Sequence, residues 1–304
     1  AAGFIGSAVV RMLSEEGWET IALDGLLDGL YPPQEKQERF DGLFSLAGVT
    51  PVQMDLRDGN LGELPEDIEF VINEAAMPGL GPSWNDFDLY SGCNLTVVAR
   101  LIEASRRWPL AKFVQISTSS VYGKHAVGDE NQPLVPVSPY GVTKLAAENL
   151  LLAHFREQGF PASVLRYFSV YGPGQRPDMA YRKFITAAIN GDPVTLLGTG
   201  EQSRSNTFVD DVARATVAAL TRSEDGEIYN IAGGQERTIN EALTIIAELA
   251  GRELNIDRHP AARGDQSRTW GDASKAASAL GLTSSVTLEE GLERQFDWQR
   301  NKGS

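Results

Sequence analysis

Apolar positions along the chain fall into short continuous runs separated by longer stretches with helical spacing. SAVVRMLSEEGW carries apolar residues at helix period and ends near Gly17, and TIALD then reads as a short strand ending in Asp24. Gly25 to Gly48 is rich in Gly, Pro and charge and predicts a loop with a short helix. PVQMDLRD predicts a strand ending at Asp55. IEFVINEAA (Ile68 to Ala76) and KFVQIST (Lys112 to Thr118) are the near-continuous apolar runs expected of buried parallel strands. Between them, about Trp84 to Arg107 predicts one long helix. SPYGVTK begins a helix at Ser138 that runs to Gly159 with a broad apolar face, and PASVLRYF follows as a strand. Strands alternating with helices predict a parallel sheet covered on both faces.

After Phe168 the pattern changes. SVYGPGQRPDMAYR, Ser169 to Arg182, is punctuated by Gly and Pro and carries Arg176 and Arg182. A helix (FITAAINGD) and a strand (PVTLLG) come next. SRSNTFVDDVARATVAAL then supplies Arg204, a strand and a helix capped at Asp210 and Asp211. GEIYNIAGG predicts a further buried strand. The remainder alternates helical patterns with short strands, with Arg258, Arg263 and Arg268 in irregular stretches.

Composition narrows the function classes. The 304 residues are 42% hydrophobic and 22% charged, as in an ordinary globular protein. With 27 Lys and Arg against 41 Asp and Glu, the net charge of −14 disfavours a nucleic-acid partner, though a few local Arg can still hold a small anionic ligand. A single cysteine, Cys93, rules out an intrachain disulfide and fits a cytoplasmic setting; it reads as a small buried residue rather than a nucleophile. No apolar run reaches the roughly 18 residues a membrane span needs, and no signal peptide is expected.

Several local patterns carry candidate chemistry. Gly3 and Gly6 in AAGFIG precede a helix, a strand and the acid Asp24, 18 residues beyond Gly6. That spacing matches most of a dinucleotide-binding turn, in which glycines admit a pyrophosphate to a helix N-terminus and the acid bonds ribose hydroxyls. A carboxylate there repels a 2′-phosphate, favouring NAD over NADP. A leading strand and a first Gly belong ahead of Ala1 in such a turn. Asp55, just past a strand, suits either the adenine amino group or a helix cap. Pro78 and Gly79 follow a strand at the edge where such sheets bind ligands. Asn94 reads either as a buried contact to the site or as a surface amide. Ser117, Thr118, Ser119 and Ser120 form a row of hydroxyls after a strand. Tyr140 and Lys144 share a helix face, so a phenol of ordinary pKa about 10 gains a cation that favours its phenolate, making a general base for an alcohol. Arg176 and Arg204, each in a Gly-rich context, suit a diphosphate.

Together GFIG, Asp24, DLRD, STSSVYG, SPYGVTK, RYFSVYGPGQRPDMA and TFVDDV resemble the extended short-chain dehydrogenase/reductases, specifically the nucleotide-sugar epimerase and dehydratase group. The resemblance implies a doubly wound α/β parallel sheet of residues 1–168 and 205–232 holding NAD, and a smaller C-terminal α/β lobe of residues 169–204 and 233–304 for the nucleotide sugar. It implies Thr118, Tyr140 and Lys144 as the catalytic set. NAD falls to Gly3, Phe4, Ile5, Gly6, Asp24, Asp55, Leu56, Ala75 and Ala76, with Tyr140 and Lys144. The substrate falls to Pro78, Gly79, Thr118, Ser119, Ser120, Ser169, Arg176, Arg204 and Arg263. No metal is implied, and a homodimer joined by two helices from each copy is.

Within that group, sugar dehydratases carry an acidic pair where Ser119 and Ser120 stand, and UDP-xylose-forming decarboxylases carry Glu at the Ser120 place. STSS with QRPDMA is most similar to the UDP-glucuronate 4-epimerases, in which hydroxyls and the Arg of RPD hold the sugar carboxylate. UDP-glucose 4-epimerase and UDP-glucuronate decarboxylase are the near alternatives, and a non-catalytic NAD-binding sensor is the alternative of another class. NEAA stands where H-x-A-A is frequent, Gly81 where Arg is frequent, RSNTFVDD where RDFTYVDD is common, and ARGD in place of an RPGD-like motif.

Overall fold

In the computed structural model, which describes residues 1–233, 235–260, 266–282 and 285–302, the apolar runs become the central strands. The first part of the chain forms α1 (Phe4–Glu15), β1 (Thr20–Asp24), α2 (Gln34–Leu43), β2 (Val49–Gln53), β3 (Phe70–Asn73), α3 (Phe87–Ser91), α4 (Val97–Ser105) and β4 (Lys112–Thr118). Next come β5 (His125–Gly128), α5 (Pro139–Gln158), β6 (Ala162–Tyr167), β7 (Val170–Tyr171), α6 (Ala180–Asn190), β8 (Val194–Leu197), β9 (Ser203–Ser205), β10 (Thr207–Phe208) and α7 (Val209–Arg222). The chain continues through β11 (Ile228–Ile231), β12 (Glu236–Thr238), α8 (Ile239–Ala250), β13 (Ile256–His259), β14 (Arg268–Gly271), α9 (Ser274–Leu280) and α10 (Leu288–Lys302).

β4 and β6 are buried at every position and pair in parallel. β3 lies beyond β4 and β11 beyond β6, giving the order β3-β4-β6-β11. Successive side chains of a strand point to opposite faces, and here they enter different cores. Phe113 packs with the apolar faces of α4 and α5, while its neighbour Val114 packs with α1 and α7. Helices therefore cover both faces, as a doubly wound fold requires. β1 and β2 form a separate parallel pair with Asp24 opposite Gln53. The sequence predicts β3 as a fully buried strand; among the described residues Phe70, Val71 and Ile72 are half-buried and Asn73 is buried. The C-terminal part adds a four-stranded sheet, β12-β9-β14-β5, and the parallel pair β13-β8, with α6, α8 and α10 packed on one another.

Three expectations change in the details. The helix predicted over about Trp84 to Arg107 begins only at Phe87, where Asp86 accepts from Leu89 N–H (3.1 Å), and it is interrupted by a π turn over Gly92–Thr96. The wide turn carries Asn94 into the interior, where it is fully buried. The strand predicted to end at Asp55 stops at Gln53 because Met54 to Gly59 fold into a turn. Asp210 and Asp211 lie inside the first turn of α7 rather than capping it; Asp211 is buried and bonded by Arg214 and by Ser285 (2.8 Å).

Candidate active site

The site is organised by the start of α5. Ser138 caps the helix, its Oγ accepting from Gly141 N–H at 3.1 Å, and Pro139 takes the first-turn position where a missing N–H costs nothing. Gly141 lets α5 approach the turn after β4: a Cβ there would stand 2.8 Å from the Ser120 carbonyl oxygen. This contact brings Tyr140 beside Thr118. Thr118 Oγ1 accepts from Ser120 N–H and lies 3.2 Å from Ser120 Oγ. The Tyr140 ring meets Tyr90 edge-on, with centroids 6.4 Å apart, and Tyr90 donates to the Pro78 carbonyl at 2.6 Å. Gly79, at φ +107°, passes so close to Leu30 and Tyr90 that a Cβ would meet them at 3.0 and 3.2 Å. Of the two roles open to Asn94, the structure selects the buried one. Its amide accepts from Met77 N–H (2.7 Å) and donates to Met77 O (3.1 Å) and Thr143 Oγ1 (3.0 Å), tying the loop after β3 to α5.

Burial pushes the Tyr140 phenol above its ordinary range, opposed by the Thr118 hydroxyl and then by the charge of Arg176. Arg176 is a cation that acts on the phenol. Lys144 is on the same helix face but one turn further in, 2% exposed. Burial lowers Lys144 to about 8, and the carboxylates of Glu74 and then Glu148 resist that fall. Sharing a helix face places both groups on one side of α5, with Lys144 one turn further along.

The glycine turn has the shape of a dinucleotide cradle. α1 carries no side-chain cap at Gly3, so its first-turn N–H groups keep their donors. A Cβ at Gly3 would meet nothing within 4 Å, whereas a Cβ at Gly6 would stand 3.2 Å from the Ala1 carbonyl oxygen, so Gly3 is open and Gly6 is packed. Phe4 and Ile5 complete the helix start. Asp24 ends β1, its carboxylate accepting from Leu26 N–H (2.8 Å) and Ala2 N–H (2.8 Å). An anionic diphosphate and a pair of ribose hydroxyls fit this donor and acceptor set.

The NAD-dependent epimerase/dehydratase family matches residues 1–232. The chain belongs to that family. It is 35% identical over 97% of its length to an uncharacterised UDP-glucose epimerase of Bacillus subtilis, covering 95% of that protein. It is 34% identical over 98% of its length to a UDP-glucuronate 4-epimerase of Thermodesulfobacterium geofontis, covering 94% of it. Among solved structures, UDP-glucuronic acid 4-epimerase of Bacillus cereus in complex with UDP-glucuronic acid and NAD superposes with a TM-score of 0.95 at 35% identity, over 99% of this chain and 98% of that one.

The remaining sequence-predicted residues of this epimerase-family chain fall in different places. Ala75 and Ala76 follow β3, half-buried, with Ala75 N–H donating to Asn73 Oδ1 at 3.2 Å. Asp55, with Leu56 beside it, caps no helix: it accepts from Arg57 N–H and is forked by the Arg57 guanidinium, with Oδ2 to Nη2 at 2.6 Å. The hydroxyl row divides. Thr118 faces Tyr140, and Ser119 is buried beside a half-buried Ser120. Ser117 turns the other way and bonds Glu148, because alternate residues of β4 face opposite sides. Ser169 takes a φ of +26°, a costly conformation for a non-glycine residue. Arg176 is 18% exposed and grips Asp178 through two bonds of 2.9 Å. Arg204 lies on β9 with Nη1 donating to Ser203 O at 2.8 Å. Arg263 lies outside the described residues.

Two polar networks beneath the site, one of them fully buried, escaped the sequence reading. In one, Arg166 pairs with Glu148 and Tyr122, and Tyr122 donates to Asn230 at 2.7 Å. In the other, Glu74 accepts from Tyr167. The only local signal for these partners was the departure of NEAA from the frequent H-x-A-A.

Proposed function

We propose that this enzyme interconverts UDP-glucuronate and UDP-galacturonate by epimerisation at carbon 4 of the sugar. The observation that carries the proposal is Arg176, a largely buried guanidinium that acts on Tyr140 and already holds a carboxylate, that of Asp178, in a two-pronged grip. A sugar carboxylate offers the same geometry.

In this reading NAD, held by Gly3 to Gly6, Asp24, Asp55, Leu56, Ala75, Ala76, Tyr140 and Lys144, supplies reversible hydride chemistry at carbon 4. Tyr140 removes the proton of the 4-hydroxyl and returns it at the end of the cycle, and Thr118 orients that hydroxyl. Bringing a phenol from about 10 to neutral takes roughly 4 kcal/mol, which nearby positive charges in a water-poor site can supply. A uronate oxidised at carbon 4 is a β-keto acid, which loses carbon dioxide most readily when the breaking bond stands perpendicular to the ketone. Arg176, Ser119, Ser120 and Ser169 hold the carboxylate away from that geometry. Pro78, Gly79, Arg204 and Arg263 complete the nucleotide-sugar site. We assign residues 1–168 and 205–232 to the NAD part and 169–204 and 233–304 to the sugar lobe. The pairing of β11 with β6 supports this division, and β5 crosses it to join β14. Exposed Phe87 and Val142, on helices α3 and α5 that pack together, suit a homodimer, and the lone buried Cys93 suits the cytoplasm.

Because Asp178 already balances Arg176, a neutral hexose is the second reading, with UDP-glucose as substrate. Proton NMR of UDP-glucuronate with enzyme and NAD tests the choice. A new galacturonate anomeric signal without released carbon dioxide is the expected result. A UDP-pentose would make the chain a decarboxylase, and turnover of UDP-glucose alone would select the second reading.

A further inference from the structure

Arg176 ends a turn, Gly172 to Arg176, that is held from outside. Gly172 and Gly174 take left-handed φ values of +134° and +86°, so the stretch is neither helix nor strand. One backbone bond closes it, Gln175 N–H to Gly172 O at 3.1 Å. Three helices then bond it. From α10, Gln295 accepts from Gly172 N–H (3.0 Å) and donates to Gln175 Oε1 (2.8 Å). From α6, Arg182 donates through Nη1 to Gln175 O (2.6 Å) and through its backbone N–H to Gln175 Oε1 (3.0 Å). From α2, Arg39 Nη2 donates to Gly174 O (3.0 Å). A Cβ at Gly174 would stand 3.5 Å from the Phe4 ring, so the turn also lies against the start of α1.

The two arginines meet on one carboxylate. Glu35, in the first turn of α2, accepts from Arg39 Nη2 on Oε2 (3.1 Å) and from Arg182 Nη2 on Oε1 (2.9 Å). All three side chains are largely buried, and Arg182 also lies over the Trp298 ring at 4.8 Å. Lys302 Nζ stands further off, 3.9 Å from Glu35 and 3.3 Å from Glu38. A guanidinium is a rigid fork, so fixing part of it aims the rest. Without Glu35, two neighbouring cations lose the charge between them, and each is left to find its place on a long flexible side chain. Resting on the assignment of Arg176 to the sugar carboxylate, we propose that Glu35 is a positioning residue: through Arg39 and Arg182 it holds the turn that presents Arg176. Uronate binding then depends on α2, an element of the part assigned to NAD.

The test uses the NAD-loaded enzyme and Glu35→Ala. The expected result is a KM for UDP-glucuronate raised about 10-fold, with kcat and the Kd values of NAD and of UDP alone changed less than about 2-fold. An unchanged KM, or a loss of NAD affinity as large as the loss for UDP-glucuronate, overturns the proposal. A second readout needs no sugar. The backbone N–H groups of Gly172, Gln175, Met179 and Arg182 are all bonded at or beside the turn. Hydrogen exchange over 172–182 should run about 10-fold faster in Glu35→Ala, with β4 and β6 unchanged. Faster exchange there supports the role of Glu35 even where UDP-glucuronate is not turned over, a failure that counts only against the substrate reading. Unchanged exchange over 172–182 overturns the role of Glu35. If Glu35→Ala loosens the whole chain, Glu35→Gln, which keeps one acceptor and removes the charge, is read by the same two measurements with the same criteria.

Discussion

Replacing Arg166 with methionine isolates the energetics of the network beneath the catalytic helix. Arg166 and Glu148 are 1% and 2% exposed. The guanidinium reaches Glu148 through Nη2 at 2.7 Å and Nε at 3.1 Å, donates to Tyr122 at 2.8 Å and stacks on the Tyr122 ring at 4.8 Å. Methionine keeps much of the volume and none of the donors, leaving the Glu148 carboxylate buried with the Ser117 hydroxyl as its bonded partner. A buried charge deprived of its counter-ion costs about 3–5 kcal/mol. At roughly 2 °C per kcal/mol for a chain of this length, the melting temperature should fall by about 6–10 °C. The pair itself contributes far less than that, because both charges had to be desolvated. The double replacement Arg166→Met with Glu148→Leu should therefore recover more than half of the loss. Calorimetry of the wild type, both single variants and the double variant at one fixed NAD concentration measures the cycle. A single-variant loss below about 1 kcal/mol, or a double variant as poor as the sum of the singles, would refute the reasoning.

Three further outcomes follow from the site. Gly141→Ala places a Cβ 2.8 Å from the Ser120 carbonyl and pushes α5 off the turn that carries Thr118, so kcat should fall about 10²-fold while NAD binding persists; an unchanged kcat counts against the Tyr140–Thr118 geometry. Lys144 sits at about 8 in the folded state against an ordinary 10.5, so its proton is held less tightly in the fold than in the unfolded chain. Its burial therefore costs stability below pH 8, by up to about 3 kcal/mol, and the cost fades as pH rises from 8 to 10.5. Denaturant titration of Lys144→Met should show an inactive protein more stable than wild type at pH 7, with the gain absent above pH 10.5. Arg176→Ala should raise KM for UDP-glucuronate about 10–100-fold and for UDP-glucose by less than about 3-fold in steady-state assays, and equal losses for both sugars would remove Arg176 from the carboxylate.

What depends on local backbone geometry was legible along the chain. Alternation and helical period laid out the parallel strands and their covering helices. The spacing of Gly3, Gly6 and Asp24 marked the cofactor turn, and the four-residue spacing of Tyr140 and Lys144 put them on one helix face. Tertiary structure decided which way each of these groups looks and whom it meets. Thr118 rather than Ser117 reaches Tyr140, because β4 is packed on both faces and its successive side chains enter different cores. The carboxylates of Glu74 and Glu148 act on Lys144, and the charge of Arg176 acts on the phenol. Glu74 and Tyr167 are 93 positions apart, and Tyr167 and Thr216 are 49 apart. Pairings at such separations leave no periodic trace along the chain, since they arise only when strands and helices from distant segments pack into one interior and each buried polar group must find a partner there.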